Sequence, residues 1–213
     1  MGVIKRGLLG GFSGKVANIV GGSWKGIAYM RSLPLSVANP RTVGQVTQRT
    51  KFGTISAFGS AIVAGWIQPL WNRFAVQASG FNDFVKANIE FVSDIGVITF
   101  AAMKMSIGKL LGLGFYEIIS PPAATENEVT LQWNNNAGDG NALATDELYI
   151  VGYNATQQEF SNVKVSTRNG ISDNIAFEND FVTNDVLHVW LVTRRVDGTI
   201  VSDSQYLTAT VIA

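Results

Sequence analysis

The chain has 213 residues and a mass of 22.9 kDa, enough for one large or two small domains around a real hydrophobic core. Apolar residues make up 46% and charged residues 15% of it, which excludes a disordered chain. Zero cysteines and a single histidine, His188, exclude disulfides, thiolate metal sites, a thiol nucleophile and a multi-histidine metal centre, and nearly exclude a Ser–His–Asp triad.

Sixteen basic residues balance sixteen acidic ones, but the balance hides a division. Through Ser120 twelve bases stand against four acids, a net +8, and no acid precedes Asp83; the remainder has four bases against twelve acids, a net −8. Charge asymmetry of this size means that the two parts face different surroundings, or face each other in neighbouring copies.

The opening block, Met1 to Gly11, is basic, apolar and glycine-rich. It lacks the long apolar run and small-residue cleavage site of a secretory signal, so no Sec export is expected. Lys15 to Val20 and Ser23 to Arg31 flank Gly21-Gly22 and predict a β-hairpin, because glycine supplies the positive φ of a tight turn. Strict alternation then puts Trp24, Ala28 and Met30 on one face and Lys25, Ile27, Tyr29 and Arg31 on the other.

Leu33 to Pro40 reads as a linker, with Asn39 as an N-cap and Pro40 at the first position of a helix reaching about Ile67. Its bulky stripe is Phe52, Ile55, Phe58, Ile62 and Trp66, at three- and four-residue steps. A second face, Gly53, Ala57, Ala61 and Gly65, is a candidate for close helix packing. No charge intervenes between Lys51 and Arg73, a length that could span a bilayer. Glycines, serines, Gln68 and Pro69 dilute its hydrophobicity and favour a soluble, tightly packed helix.

A second helix is expected near Asn82 with Phe84, Val85, Ile89 and Val92 as its apolar face, then a buried strand or a packed helical turn from Val97 to Met103. Lys109 to Tyr116 shows no clear period. Ser120-Pro121-Pro122 is the expected boundary between a region 1–119 and a domain 120–213. From Glu128 short β-runs alternate with turn residues: Val129–Trp133, Glu147–Tyr153, Phe160–Thr167, Ile175–Phe177, Val186–Val192 and Tyr206–Ile212. Such spacing predicts an immunoglobulin or fibronectin-III-like β-sandwich, and so an α+β chain with hairpin and helices first and the all-β sandwich last.

Candidate chemistry is sparse. Asn134 to Asn141 with Asp146 and Glu147 offers oxygen ligands of the kind calcium takes, without EF-hand spacing. Glu178, Asp180 and Asp185 could pair as glycosidase carboxylates, although such residues more often keep loops soluble. His188 sits inside a strand, where a local hydrogen-bond partner is the simpler expectation. The glycine-rich runs at Gly7 and Gly108 lack the Walker spacing. No catalytic residue, metal ligand or cofactor is expected.

The interleaved basic and aromatic residues Trp24, Lys25, Tyr29, Arg31, Arg41, Arg49 and Lys51 are the candidate partner-binding set. Tryptophan, tyrosine and arginine are the usual anchors of protein interfaces; the same mixture can stack bases and neutralise phosphates. Without a named nucleic-acid motif, protein subunits rank first as partners, nucleic acid second and a membrane third.

The string Phe12-Ser-Gly-Lys-Val-Ala-Asn-Ile-Val-Gly, then Ser23-Trp-Lys-Gly-Ile-Ala-Tyr-Met-Arg-Ser-Leu-Pro34, Asn39-Pro-Arg-Thr, Gln48-Arg49 and Lys51-Phe52 resembles an uncharacterised family found in Bacteroidetes and in their phages and prophages. The strand around Trp133, the Gly140–Asp146 loop and the terminal Ser204-Gln-Tyr are similar too. The family brings no catalytic residues with it. The resemblance implies a non-enzymatic, virion-associated structural protein, assembled in the bacterial cytoplasm.

Overall fold

The structure, a computed structural model, describes residues 3–4, 11–36, 39–119 and 122–213. Most of the opening glycine-rich block, part of the expected linker and the Ser120-Pro121 junction therefore lie outside the described residues. The chain is mixed α+β and divides into two compact units, 1–45 and 46–213.

The first unit is an antiparallel sheet of four strands in chain order: β1 (Val3–Ile4), β2 (Phe12–Val16), β3 (Ile19–Trp24) and β4 (Ile27–Ser32). The hairpin turn between β3 and β4 is Lys25-Gly26, with φ of 46° and 85°, rather than the expected Gly21-Gly22. A two-residue turn that continues the strand twist wants positive φ at both positions, and Lys25-Gly26 supplies it. The two glycines lie inside β3 instead, beneath aromatic rings. A Cβ on Gly22 would lie 3.0 Å from the Tyr29 ring, and one on Gly21 would meet the Phe12 carbonyl and come within 2.6 Å of its ring.

The second unit opens with α1 (Val43–Ala61). Thr42, not Asn39, caps it: the Thr42 Oγ1 accepts the Gln45 N–H at 3.4 Å, one half of a Thr-x-x-Gln capping box. The helix does not stop at Ile67. The N–H groups of Trp66 and Ile67 both donate to the Ile62 carbonyl, at 3.0 and 3.1 Å, giving a π-helical turn over Val63–Ile67, and α2 (Gln68–Trp71) continues it. The extra residue lets Trp66 and Trp71 both donate their indole N–H to the Met105 carbonyl, each at 2.9 Å. α3 (Gly80–Asn88) is capped by the Ser79 hydroxyl, and its Phe84 and Val85 are buried as expected. The segment 97–103 forms a bridge from Ile98 to Val92 and a 3-10 turn at Phe100–Ala102.

The remaining strands are β5 (Tyr116–Ile118), β6 (Glu128–Trp133), β7 (Glu147–Asn154), β8 (Glu159–Phe160), β9 (Lys164–Thr167), β10 (Ser172–Ala176), β11 (Val186–Arg194) and β12 (Gln205–Thr210). They form a three-stranded sheet, β10-β6-β5, and a five-stranded sheet, β12-β11-β7-β8 with β9 also on β7, antiparallel throughout. Val129, Leu131, Trp133 and Ile175 of the first sheet share a core with Leu148, Ile150, Leu187, Val189 and Leu191 of the second. That is the expected sandwich.

Alternate residues on the same two central strands point the other way. Tyr149, Val151, Trp190 and Val192 pack with Ile55, Phe58, Ile62, Trp66 and Phe84 of the helices. The five-stranded sheet is thus covered on both faces, by the second sheet and by a helical layer. This is why β11 is buried at seven consecutive positions. It is also why the expected 119/120 boundary falls inside one compact unit: the helices complete the sandwich core instead of forming their own.

Candidate functional site

The sheet of the first unit gathers part of the partner-binding set. Pairing of Trp24 with Ile27, Gly22 with Tyr29 and Val20 with Arg31, and of Lys15 with Val20, puts Lys15, Val20, Trp24, Ile27, Tyr29 and Arg31 on one face, since directly opposed residues share a face. Trp24 therefore sits with Tyr29 and Arg31, not with Ala28 and Met30 as uninterrupted alternation implied; the turn at Lys25-Gly26 reverses the count. The aromatics occupy the turn end of this face and the cations Lys15 and Arg31 the other end. Trp24 is 60% exposed, Ile27 71% and Tyr29 48%. Every residue of β4 is exposed.

The other candidates distribute differently. Lys25 forms the turn itself. Arg41 and Arg49 are exposed, the first ahead of α1 and the second within it. Lys51 is engaged inside its own unit, its Nζ 2.8 Å from Asp94 Oδ1, so its charge is answered locally. With Asp94 exposed and Lys51 half-buried, a pair of this kind contributes up to about 1 kcal/mol.

Among the described residues the proposed close-packing face does not pack on a helix. Gly53, Ala57 and Ala61 are exposed, with open space where a Cβ on Gly53 would stand, and Gly65 lies against the Val163 side chain of the sandwich. The tight helix contact is made two positions off that stripe, at Gly59. A Cβ on Gly59 would stand 3.0 Å from the Phe84 ring and 3.2 Å from that of Phe81. Phe52, the first member of the expected bulky stripe, is 55% exposed, while Ile55, Phe58, Ile62 and Trp66 are buried.

The oxygen-rich loop is not arranged for calcium. Asp146 is fully buried between two guanidinium groups, its Oδ2 3.3 Å from Arg168 Nε and its Oδ1 2.9 Å from Arg195 Nε. Arg168, also fully buried, donates to the carbonyls of Leu111 and Gly112 and, at 2.6 Å, to Asn136 Oδ1. Burial lowers the Arg168 pKa from its usual value and the Asp146 carboxylate pulls it back. The asparagines of the loop tie backbone: Asn141 accepts from Leu111 N–H and donates to the Lys109 carbonyl, and Asn136 donates to the Gly112 carbonyl. This network straps the 108–113 segment across one end of the sandwich. Arg168-Asn169-Gly170 by itself has the composition of a plain turn.

Asp185 is likewise buried and spoken for, accepting from Asn154 Nδ2, Gln157 Nε2 and Val182 N–H at 2.8, 2.8 and 3.0 Å. Glu178 and Asp180, its expected catalytic partners, are exposed instead. His188 has the expected local partner, with Nδ1 2.6 Å from the Tyr206 hydroxyl, and its ring stacks on Phe100 at 4.3 Å. Burial lowers its pKa to about 4. Among the described residues no group of three or more His, Asp or Glu side chains is placed to hold a metal. No described helix is long and apolar enough to cross a membrane.

What the chemistry leaves is a surface: an exposed, aromatic and basic sheet face in a segment without a single acid. No curated protein matches the chain. Residues 11–208 match a family of unknown function, DUF6266, and the span takes in both the exposed sheet and the sandwich. The chain belongs to that family.

Proposed function

We propose that the protein is a non-enzymatic structural subunit that docks on neighbouring protein through its basic N-terminal segment and presents the sandwich. The observation that carries this reading is the β3–β4 face. Trp24, Ile27 and Tyr29 are large side chains left in water on a small sheet, flanked by Lys15 and Arg31. Open apolar surface rimmed by charge marks an interaction site, and tryptophan, tyrosine and arginine are the residues that anchor one. A four-stranded sheet exposed on this scale also gains stability from being covered.

On this reading the assembly is a phage particle or a comparable structure, which the resemblance of the N-terminal strings to proteins of Bacteroidetes and their phages supports. The same face would suit single-stranded nucleic acid, with Trp24 and Tyr29 as stacking platforms and Lys15 and Arg31 on phosphates. The two partners separate in one experiment. Light-scattering mass of nuclease-treated protein is expected to show a discrete multimer. Mass near the 22.9 kDa of one chain, together with salt-sensitive binding of an oligonucleotide, would favour nucleic acid instead.

A further inference from the structure

Building on that reading, we propose that the occupant of the β3–β4 face is a second copy of this chain, and that the surface received there is the acidic end of its sandwich. The first unit carries six basic residues and no acid; the second carries ten basic and sixteen acidic, so the units are +6 and −6. The negative charge of the second unit is not spread evenly. No lysine or arginine occurs between Lys109 and Lys164, or between Arg168 and Arg194. The fold brings segments from those two stretches together at the end of the sandwich away from Arg168.

There the Phe181 N–H donates to the Glu126 carbonyl, Glu128 pairs with Ala176, and Glu159 Oε2 accepts from Asn179 Nδ2 at 2.8 Å. Gln157 Nε2 donates to the Asp180 carbonyl. Glu126, Glu128, Glu178 and Asp180 are exposed, with Glu159 half-buried beside them, and none has an ion-pair partner among the described residues. Elsewhere in the second unit several acids are answered by lysines, as in the Lys51–Asp94, Lys104–Glu90 and Lys164–Asp173 pairs.

An unanswered acidic end and an unanswered basic face on one chain make a heterologous, head-to-tail contact, which grows into a ring or an open row of subunits. Charge complementarity selects the partner and orientation; Trp24 and Tyr29 supply the buried anchors.

The test is a charge swap read by light scattering. Wild-type protein is expected above the single-chain mass at about 0.05 M salt, with association at least about tenfold weaker at about 0.5 M, because exposed charges are screened over a few ångströms there. Lys15→Glu/Arg31→Glu and Glu178→Lys/Asp180→Lys proteins are each expected to be monomeric, and an equimolar mixture is expected to reassemble. These side chains are exposed, so unchanged melting of each variant confirms folding. If the sandwich variant assembles like wild type while the sheet variant does not, the acidic end is the wrong occupant and the docking face stands. If both variants assemble unchanged, the docking face falls as well. A wild-type monomer at low salt and high concentration, or a mixture that stays monomeric, overturns the head-to-tail contact.

Discussion

Replacing Phe58 with alanine probes how the second unit is built. Phe58 is 6% exposed, and its ring lies 4.8 Å from Phe160, 5.1 Å from Tyr153, 6.0 Å from Phe100 and 6.2 Å from Trp190. One side chain on α1 thus touches β7, β8, β11 and the 3-10 turn at once. Truncating a buried phenylalanine costs about 3–5 kcal/mol, and this site belongs at the upper end because its edge-to-face partners are lost together. At roughly 2–4 °C per kcal/mol for a unit of this size, the melting temperature should fall by about 6–20 °C. Calorimetry with circular dichroism at helix- and strand-sensitive wavelengths reads the result. Helix and sandwich should melt together in one lowered transition. A strand signal that melts at the wild-type temperature while the helical signal moves would show two independent cores and refute the shared one.

Three further outcomes are expected. Arg168→Met leaves Asp146 with Arg195 alone and strips donors from Leu111, Gly112 and Asn136, so urea unfolding should show a loss of about 3–5 kcal/mol; a loss under about 1 kcal/mol would mean the strap carries no load. His188 is held neutral in the fold, with its pKa lowered to about 4 from an ordinary 6.5, so the unfolded chain binds the proton first on acidification. Stability is therefore unaffected by this group above about pH 6.5, declines below it, and has lost up to about 3 kcal/mol near pH 4. The His188→Phe protein should lack that increment, and equal slopes for the two proteins between pH 6.5 and 4 would contradict the assignment. Gly21→Ala drives a methyl into the Phe12 carbonyl and ring. Overpacking of this kind costs about 1–3 kcal/mol, seen as faster amide exchange in β2 and β3 with the sandwich unchanged.

Where a pattern had only one answer, the sequence was legible. Period-two runs between turn residues read as sandwich strands, and Ile55, Phe58, Ile62 and Trp66 read as one buried helix face. The apolar residues at both parities of Leu148–Val151 and Leu187–Val192 announced a sheet buried on both sides, but not what covered its second face. That the cover is the preceding helices is tertiary information, and it moved the boundary between units from 119/120 to 45/46.

Local chemistry misled in two places. Gly21-Gly22 satisfies a turn as well as Lys25-Gly26 does, and only the Phe12 and Tyr29 rings over the glycines decide between them. Asn39-Pro40 is a good helix start, but the Thr42 hydroxyl accepts the Gln45 N–H and caps the helix instead, a Thr-x-x-Gln signal that was present in the sequence. At the candidate site Trp24, Tyr29 and Arg31 come together through one register, while Lys51 finds Asp94. The Asp146–Arg168–Arg195 network had no sequence signal, because a buried arginine and an exposed turn arginine look alike.

The docking face can be watched through its own fluorophore. Of the five tryptophans, Trp66, Trp71, Trp133 and Trp190 are at most 8% exposed and Trp24 is 60% exposed, so quenching by acrylamide reports Trp24 almost alone. Quenching followed across a concentration series, beside the light-scattering mass, tests docking most directly. The accessible emission should disappear as the multimer forms, with a blue shift that is missing in Trp24→Phe. Accessible Trp24 emission that persists unchanged in a fully multimeric sample would contradict docking through this face.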